Sequence, residues 1–226
     1  MAHNAVLRLL LKAGYSPTCI FDVGANVGLT AQEFGQSFPH AIIHAFEPVP
    51  ATYDLLTANL AGRPNVHCNR LALGRTSGEV TMAVAGISPG NRVLLSGSYT
   101  KGETDIVPQL TGEEYCANYQ IDQIGFLKID TEGRDLDVLL GFSRMIQANR
   151  IDFVQMECGL SPDNSRHVPL TSMQAVLFAM GYRMFGLFDV MPQKRSNVAG
   201  AFYGNVVYVR PDLPWPPVAV RPLNAG

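Results

Sequence analysis

The chain has 226 residues, of which 47% are hydrophobic and 16% charged, so it can bury one sizeable core and is neither disordered nor fibrous. A formal net charge of -2 with a pI near 6.2 leaves no basic stripe to follow a phosphate backbone, which excludes nucleic acid as the expected partner. Cys19, Cys68, Cys116 and Cys158 form no CxxC pair; they read as reduced thiols of a cytoplasmic protein and not as a disulfide frame or zinc site.

The first element, within 1–16, is an apolar run interrupted by Arg8 and closed by Lys12 and Gly14. It is too short to span a bilayer and reads as a helix laid over the domain, with a membrane-touching or partner-binding helix as the alternative and no transmembrane segment expected. Apolar runs rich in β-branched and aromatic residues then recur at 19–23, 41–46, 66–73, 125–130, 151–157, 182–188 and 205–209. Helix-period segments at 28–38, 50–61, 133–147 and 170–180 separate most of them. This alternation predicts βαβ units in one α/β domain, a mainly parallel sheet of Rossmann-like type. Residues 74–113 break the rhythm: GEVTMAVAG alternates like an added strand, and the Gly/Ser-rich stretch after it suggests a substrate lid. The prolines of 211–226 exclude a helix and suggest an extended arm or tail. One domain over 1–226 is expected.

FDVGANVGLTAQEF, residues 21–34, ends a strand at an aspartate and turns through glycines into a helix. In an open parallel sheet such a turn meets the ligand. Asn26 stands where a dinucleotide loop needs its middle glycine, and Asp22 would repel a phosphate, so a nicotinamide dinucleotide is disfavoured. An ammonium-bearing ligand without phosphate, such as S-adenosyl-L-methionine, suits Asp22 better. Gly24 allows the tight turn and Gly28 the approach of helix to strand. Glu47, in HAFEP, ends the neighbouring strand where a ribose diol is met, and Pro48 holds it extended. The candidate cofactor set is Asp22, Gly24, Ala25, Asn26, Gly28, Thr30, Glu47, Pro48 and Asp130.

FLKIDTEGRDLDVLLGF, residues 126–142, places Lys128 and Asp130 on one strand face, opposite Leu127 and Ile129, with Glu132 just beyond. Charges on a buried parallel strand point to a reaction site or to an ion pair that staples the sheet. Asp135 and Asp137 read as first-turn acids of the next helix. Glu157 ends the following run, so Asp130 and Glu157 either share a proton or chelate Mg²⁺. Asp130, Glu132, Glu157 and Lys128 are the candidate catalytic residues. His167 is open as base, ligand or exposed loop residue, and His40 and His44 read as structural. Serines and asparagines at 88–98, with Tyr99, Tyr115 and Tyr119, are candidate acceptor contacts.

FDVGANVGLTAQEF, HAFEPVPATYDLLTANL, LALG, LKIDTEGRDLDVLLGF and VQMEC occur in the order, and with the residues, that resemble the FkbM family of S-adenosylmethionine-dependent methyltransferases, over roughly 17–188. The resemblance implies a class I methyltransferase sheet of seven strands with helices on both faces. It also implies O-methylation of a hydroxyl on a sugar or secondary metabolite, with an oligomer allowed. QLTGEEYC, at 109–116, replaces a Thr-Leu-Asp-type segment of many relatives, with Glu113 or Glu114 as the substitutes. The competing readings are an N-methyltransferase, disfavoured because DTEG stands where an NPPY-type clamp would, and a non-catalytic binding module, disfavoured by the retained acids.

Overall fold

The computed structural model describes residues 5–84, 92–93, 103–193 and 199–215. In chain order the elements are α1 Ala5–Lys12, β1 Cys19–Val23, α2 Leu29–Ser37, β2 Ile42–Phe46, α3 Pro50–Asn59, β3 Val66–Asn69, β4 Ala72–Leu73, β5 Gly78–Val84 and β6 Arg92–Val93. They continue as β7 Glu103–Leu110, α4 Gly112–Asn118, β8 Ile124–Ile129, α5 Asp135–Leu140, α6 Ser143–Gln147, β9 Ile151–Gly159, α7 Leu170–Ala179, β10 Arg183–Pro192 and β11 Ala201–Val209.

Seven strands form one sheet in the order β10-β11-β9-β8-β1-β2-β3. β1, β2, β3, β8 and β9 pair in parallel, while β11 runs antiparallel to both β9 and β10. The alternating side chains of the central strands feed two apolar layers. Phe21, Val23, Leu127, Ile129, Val154 and Met156 pack with residues of α4 to α7. Ile20, Ile43, Ala45, Phe126, Phe153 and Val207 pack with residues of α1, α2 and α3. This is the expected class I methyltransferase architecture, with helices on both faces.

Two expectations change here. The run at 66–73 divides between two sheets, because β3 joins the large sheet while β4 joins a second sheet ordered β4-β7-β5-β6. The expected strand of GEVTMAVAG is β5, and β7 pairs with it from Gly78 opposite Gln109 to Val84 opposite Glu103, so part of the presumed loop is strand. Most of the lid expected from the Gly/Ser-rich stretch, with Tyr99, lies outside the described residues.

The helix expected over 133–147 is two helices, α5 and α6, broken at Gly141 and Phe142. A methyl group at Gly141 would lie 2.2 Å from the Gly74 carbonyl oxygen, so only glycine lets the chain pass here. The Phe142 ring fills the space beside Gly112, where a Cβ would lie 2.1 Å from it. α4 was not apparent from periodicity. It starts at Thr111, whose hydroxyl accepts the Glu114 N–H, with Glu113 and Glu114 in the positive first turn.

At the opposite end of the sheet, Trp215 at the start of the proline-rich tail lies against Phe185 and Phe153, with ring centroids 5.1 and 5.6 Å apart. Residues 216–226 of the expected arm lie outside the described residues.

Candidate active site

Three neighbouring strand-to-helix turns meet at the carboxyl ends of β8, β1 and β2. The first, Gly24 to Gly28, has positive φ at Gly24 (76°), Asn26 (50°) and Gly28 (90°). A Cβ at Gly24 would stand 1.9 Å from the Asp130 carbonyl oxygen, so this glycine admits the turn after β8. Gly28 serves a different contact from the expected one: a Cβ there would meet Leu56 at 2.8 Å, so it seats α3, not the strand.

Glu47 follows β2. Its Oε2 accepts the Asn26 N–H at 3.1 Å and its Oε1 accepts the Val49 N–H at 3.0 Å. Each oxygen keeps a second lone pair, so a diol can still be accepted. Burial pushes its carboxyl above the usual range, opposed by those two backbone donors and by the charge of Lys128.

Gly24, Asn26, Glu47, Pro48 and Asp130 all line a cleft of about 390 Å³, within the size range of small-molecule sites. Leu71, Ala72, Leu73, Val80 and Met82 add an apolar wall, partly from the second sheet, whose own core joins Val49, Ala72, Met82 and Val107. Arg75, Thr76, Gln109, Thr131, Glu132, Arg134 and Asp137 supply polar lining.

Ala25, Gly28 and Thr30 do not line this cleft, and neither do Asp22, Lys128 and Glu157. Asp22 was expected to face a ligand's ammonium. Instead it is fully buried on the sheet face that carries Ile20, with Lys128 directly opposite it in the register. Lys128 Nζ lies 3.0 Å from Asp22 Oδ1, 3.5 Å from Asp130 Oδ2 and 3.2 Å from the Gly24 carbonyl oxygen. Burial alone would lower the Lys128 pKa; the two carboxylates outweigh it and hold the ammonium charged. Both oxygens of Asp22 are buried without a hydrogen bond of good geometry, so the ion pair is its compensation.

The turn after β8 is held by Asp135, whose carboxylate accepts the N–H groups of Thr131 and Gly133 at 3.2 and 3.3 Å. Glu132 and Gly133 have positive φ, 57° and 95°. Burial, reinforced by the nearby charge of Asp130, pushes the Asp135 carboxyl up to about 7. Glu132 pairs with Arg166 at 2.6 Å, tying the turn to the loop after β9.

That loop buries His167, so the exposed reading of this residue does not hold. Its Nε2 lies 2.9 Å from Glu157 Oε2. Burial first, then the charges of Asp130, Glu132 and Asp135, push the Glu157 carboxyl up to about 8 against the pull of Arg166. Among the described residues no group of three or more His, Cys, Asp or Glu side chains is arranged to hold a metal ion.

Glu113 and Glu114 do not line the cleft; they bond to Arg144 and Ser77 near α4. Tyr115 is a core residue, its hydroxyl shared with His44 and Asn69 at 2.8 and 3.0 Å, which leaves it nothing to offer an acceptor. His44 is structural as expected, with a pKa lowered to about 4 by burial and by His67. Sequence reasoning missed Arg75, Gln109 and Arg134. The signals for them were adjacency to LALG for Arg75 and to KIDTEG for Arg134, and for Gln109 its place at the head of QLTGEEYC.

No described helix is long and apolar enough to cross a membrane. Solved methyltransferases share the fold at low identity. The protein M. capricolum TrmK, solved with S-adenosyl-homocysteine, matches with a TM-score of 0.53 at 11% identity, covering 93% of this chain and 70% of that one. Precorrin-6y C5,15-methyltransferase from Geobacter metallireducens matches with a TM-score of 0.51 at 14% identity, covering 91% and 85%.

In sequence, the chain is 29% identical to hexuronic acid methyltransferase AglP of Haloferax volcanii, over 70% of this chain and 63% of that protein. It is 32% identical to 31-O-demethyl-FK506 methyltransferase FkbM of Streptomyces tacrolimicus, over 54% of this chain and 58% of that protein. The chain thus spans about three fifths of the length of these two relatives. The model of the methyltransferase FkbM domain matches residues 22–184, well over half of the chain. The chain belongs to the methyltransferase FkbM domain family.

Proposed function

We propose that this protein transfers a methyl group from S-adenosyl-L-methionine to a hydroxyl of a sugar or hydroxylated secondary metabolite. The observation that carries the reading is one continuous cleft joining Glu47 and Asn26 to Asp130, Thr131 and Glu132 across the ends of β2, β1 and β8. S-adenosyl-L-methionine supplies an electrophilic methyl on a sulfonium. Glu47 would take the ribose hydroxyls through its remaining lone pairs, and Leu71, Ala72, Leu73, Val80 and Met82 form a surface suited to an adenine ring. Asp130, half-exposed at the end of β8, puts a carboxylate where positive charge would arrive. Lys128 remains outside the cleft as the ammonium that ties Asp22, Asp130 and Gly24 together.

Polar groups on two sides of the cleft suit a polyhydroxylated acceptor: Arg75, Thr76 and Gln109 on one, Glu132, Arg134 and Asp137 on the other. Two relatives act on a hexuronic acid and on a demethylated natural product by name, which supports this class of acceptor. In-line transfer needs acceptor and donor held in one geometry, and a proton must leave the hydroxyl.

The test has two parts. S-adenosylmethionine and S-adenosylhomocysteine should each raise the melting temperature, while NAD should not, because a ligand of the folded state alone shifts unfolding. Labelled cofactor should then transfer its methyl to a member of a panel containing methyl β-D-glucuronide, methyl β-D-glucoside and macrocyclic alcohols. NAD binding without adenosyl binding would overturn the cofactor; no product across the panel would overturn the acceptor class.

A further inference from the structure

The proposed methyl transfer to a hydroxyl needs a group that receives the hydroxyl proton. Resting on that reading, the loop after β9 supplies an answer. Gly159 N–H bonds to the Val168 carbonyl at 2.9 Å, and Gly159 bridges Pro169, so residues 160–168 close on themselves above the strand end. Asn164 organises the interior. Its Oδ1 accepts the N–H groups of Arg166 and His167, both at 3.1 Å. Its Nδ2 donates to the Phe202 carbonyl at 2.9 Å and lies 2.9 Å from His167 Nδ1.

His167 Nδ1 also lies 3.1 Å from Oδ1, but both lone pairs of Oδ1 are engaged by backbone donors, so the second amide hydrogen, at the shorter distance, is the group that Nδ1 meets. Nδ1 therefore accepts, and the imidazole proton resides on Nε2 by this network assignment. Nε2 then donates to Glu157 Oε2 at 2.9 Å. The ring is buried and stacked on Tyr203, with centroids 4.8 Å apart and planes 29° from parallel. Burial and the adjacent Arg166 lower the pKa of His167, against a smaller opposing effect of Asp130, so the ring is a neutral donor.

Glu157 Oε1 has no hydrogen-bond donor among the described residues, and the side chain remains 20% exposed. Ile129 stands opposite Met156 in the β8–β9 register. One further residue along each strand brings Glu157, itself just outside the cleft lining, beside the cleft-lining Asp130, their backbones about 4.8 Å apart by the usual strand spacing. We infer that Glu157 is the proton acceptor for the substrate hydroxyl, and that His167 and Asn164 are its positioning residues.

In that step the hydroxyl O–H bond breaks and its proton passes to Glu157 Oε1. The oxygen forms a bond to the methyl carbon, and the electron pair of the broken carbon–sulfur bond stays on sulfur. The groups facing Glu157 are Asp130 after β8, Glu132 in its turn, Asp135 on α5, Arg166 and His167 in the loop, and uncharged Asn205 opposite it on β11. Three acids against one arginine favour proton uptake. A base that titrates near the working pH combines availability with driving force.

The experiment measures methyl transfer against pH with the best acceptor of the panel, for wild type, Glu157→Gln, His167→Gln and His167→Leu. For wild type, kcat/KM should rise through an inflection near pH 8. Glu157→Gln should lose that limb and about 10²-fold in kcat, the scale of acid–base assistance, with S-adenosylhomocysteine affinity unchanged. His167→Leu should displace the limb, and His167→Gln, which restores a donor, should bring it back toward wild type. A wild-type rate and pH limb in Glu157→Gln would overturn the inference, as would equal profiles for His167→Leu and wild type. Carboxyl ¹³C NMR of the glutamate-labelled protein needs no acceptor: a resonance titrating near pH 8 and absent from Glu157→Gln is expected, and its titration in the ordinary carboxylate range would overturn the assignment. Absence of product with every acceptor would count against the proposed acceptor class, while the NMR titration would still decide on Glu157.

Discussion

Glu47 and Glu157 follow or end parallel strands of the same sheet, but they are held by opposite means. Backbone N–H groups of Asn26 and Val49 grip both oxygens of Glu47, and both donors come from turns beside it. Glu157 is held by a side chain, His167, which is itself held by another, Asn164, while three further acids press on it. A carboxylate gripped by backbone donors is a fixed acceptor for hydroxyls. One gripped by a neutral imidazole among like charges is poised to change protonation. Between them runs the Asp22–Lys128 pair, which reaches Gly24 on one side and Asp130 on the other.

The comparison breaks most severely at that central pair. Lys128→Met should destabilise the protein by about 3–5 kcal/mol, because Asp22 would be left fully buried and uncompensated. The double variant Asp22→Asn with Lys128→Met should recover much of the loss in urea denaturation. Equal loss in both would mean that packing, not charge, is what the pair provides.

Glu47→Ala should weaken S-adenosylhomocysteine binding by about 2 kcal/mol, roughly 30-fold, the scale of lost charge-assisted hydrogen bonds. Glu47→Gln should lie between that variant and wild type. Calorimetric affinities equal to wild type in both variants would remove Glu47 from the cofactor side of the comparison.

The smallest effect sharpens the other side. The Glu157 carboxyl, raised to about 8, takes up a proton more readily in the folded than in the unfolded chain. Its contribution to stability is therefore complete below the unfolded pKa and is lost as pH rises through about 8. Glu157→Gln, permanently neutral, should gain melting temperature relative to wild type between pH 5.5 and 8.5. A difference that stays constant over that window would show that Glu157 titrates alike in both states.

How much of this was legible from residue order differs between the two regions. The Gly24 turn, Glu47 at the end of its strand and the shared face of Lys128 and Asp130 follow from neighbours in the chain. Strand alternation, a proline after the acid and glycine's tolerance of positive φ are all local properties. The His167 network was not legible, since Asn164, Phe202 and Glu157 converge only when the loop after β9 folds against β11.

By itself the sequence determined the alternating α/β pattern, the family motifs and the row of acids at the strand ends. Tertiary structure decided what those acids do. It turned Asp22 away from the cleft and onto Lys128, 106 positions later, by pairing β1 with β8. It raised the cleft's apolar wall from the second sheet and divided one helical period into α5 and α6 where Gly141 passes Gly74. Periodicity and backbone preference act over a few residues. Burial and charge pairing depend on whatever the folded chain brings alongside, and that sets the state of each carboxylate.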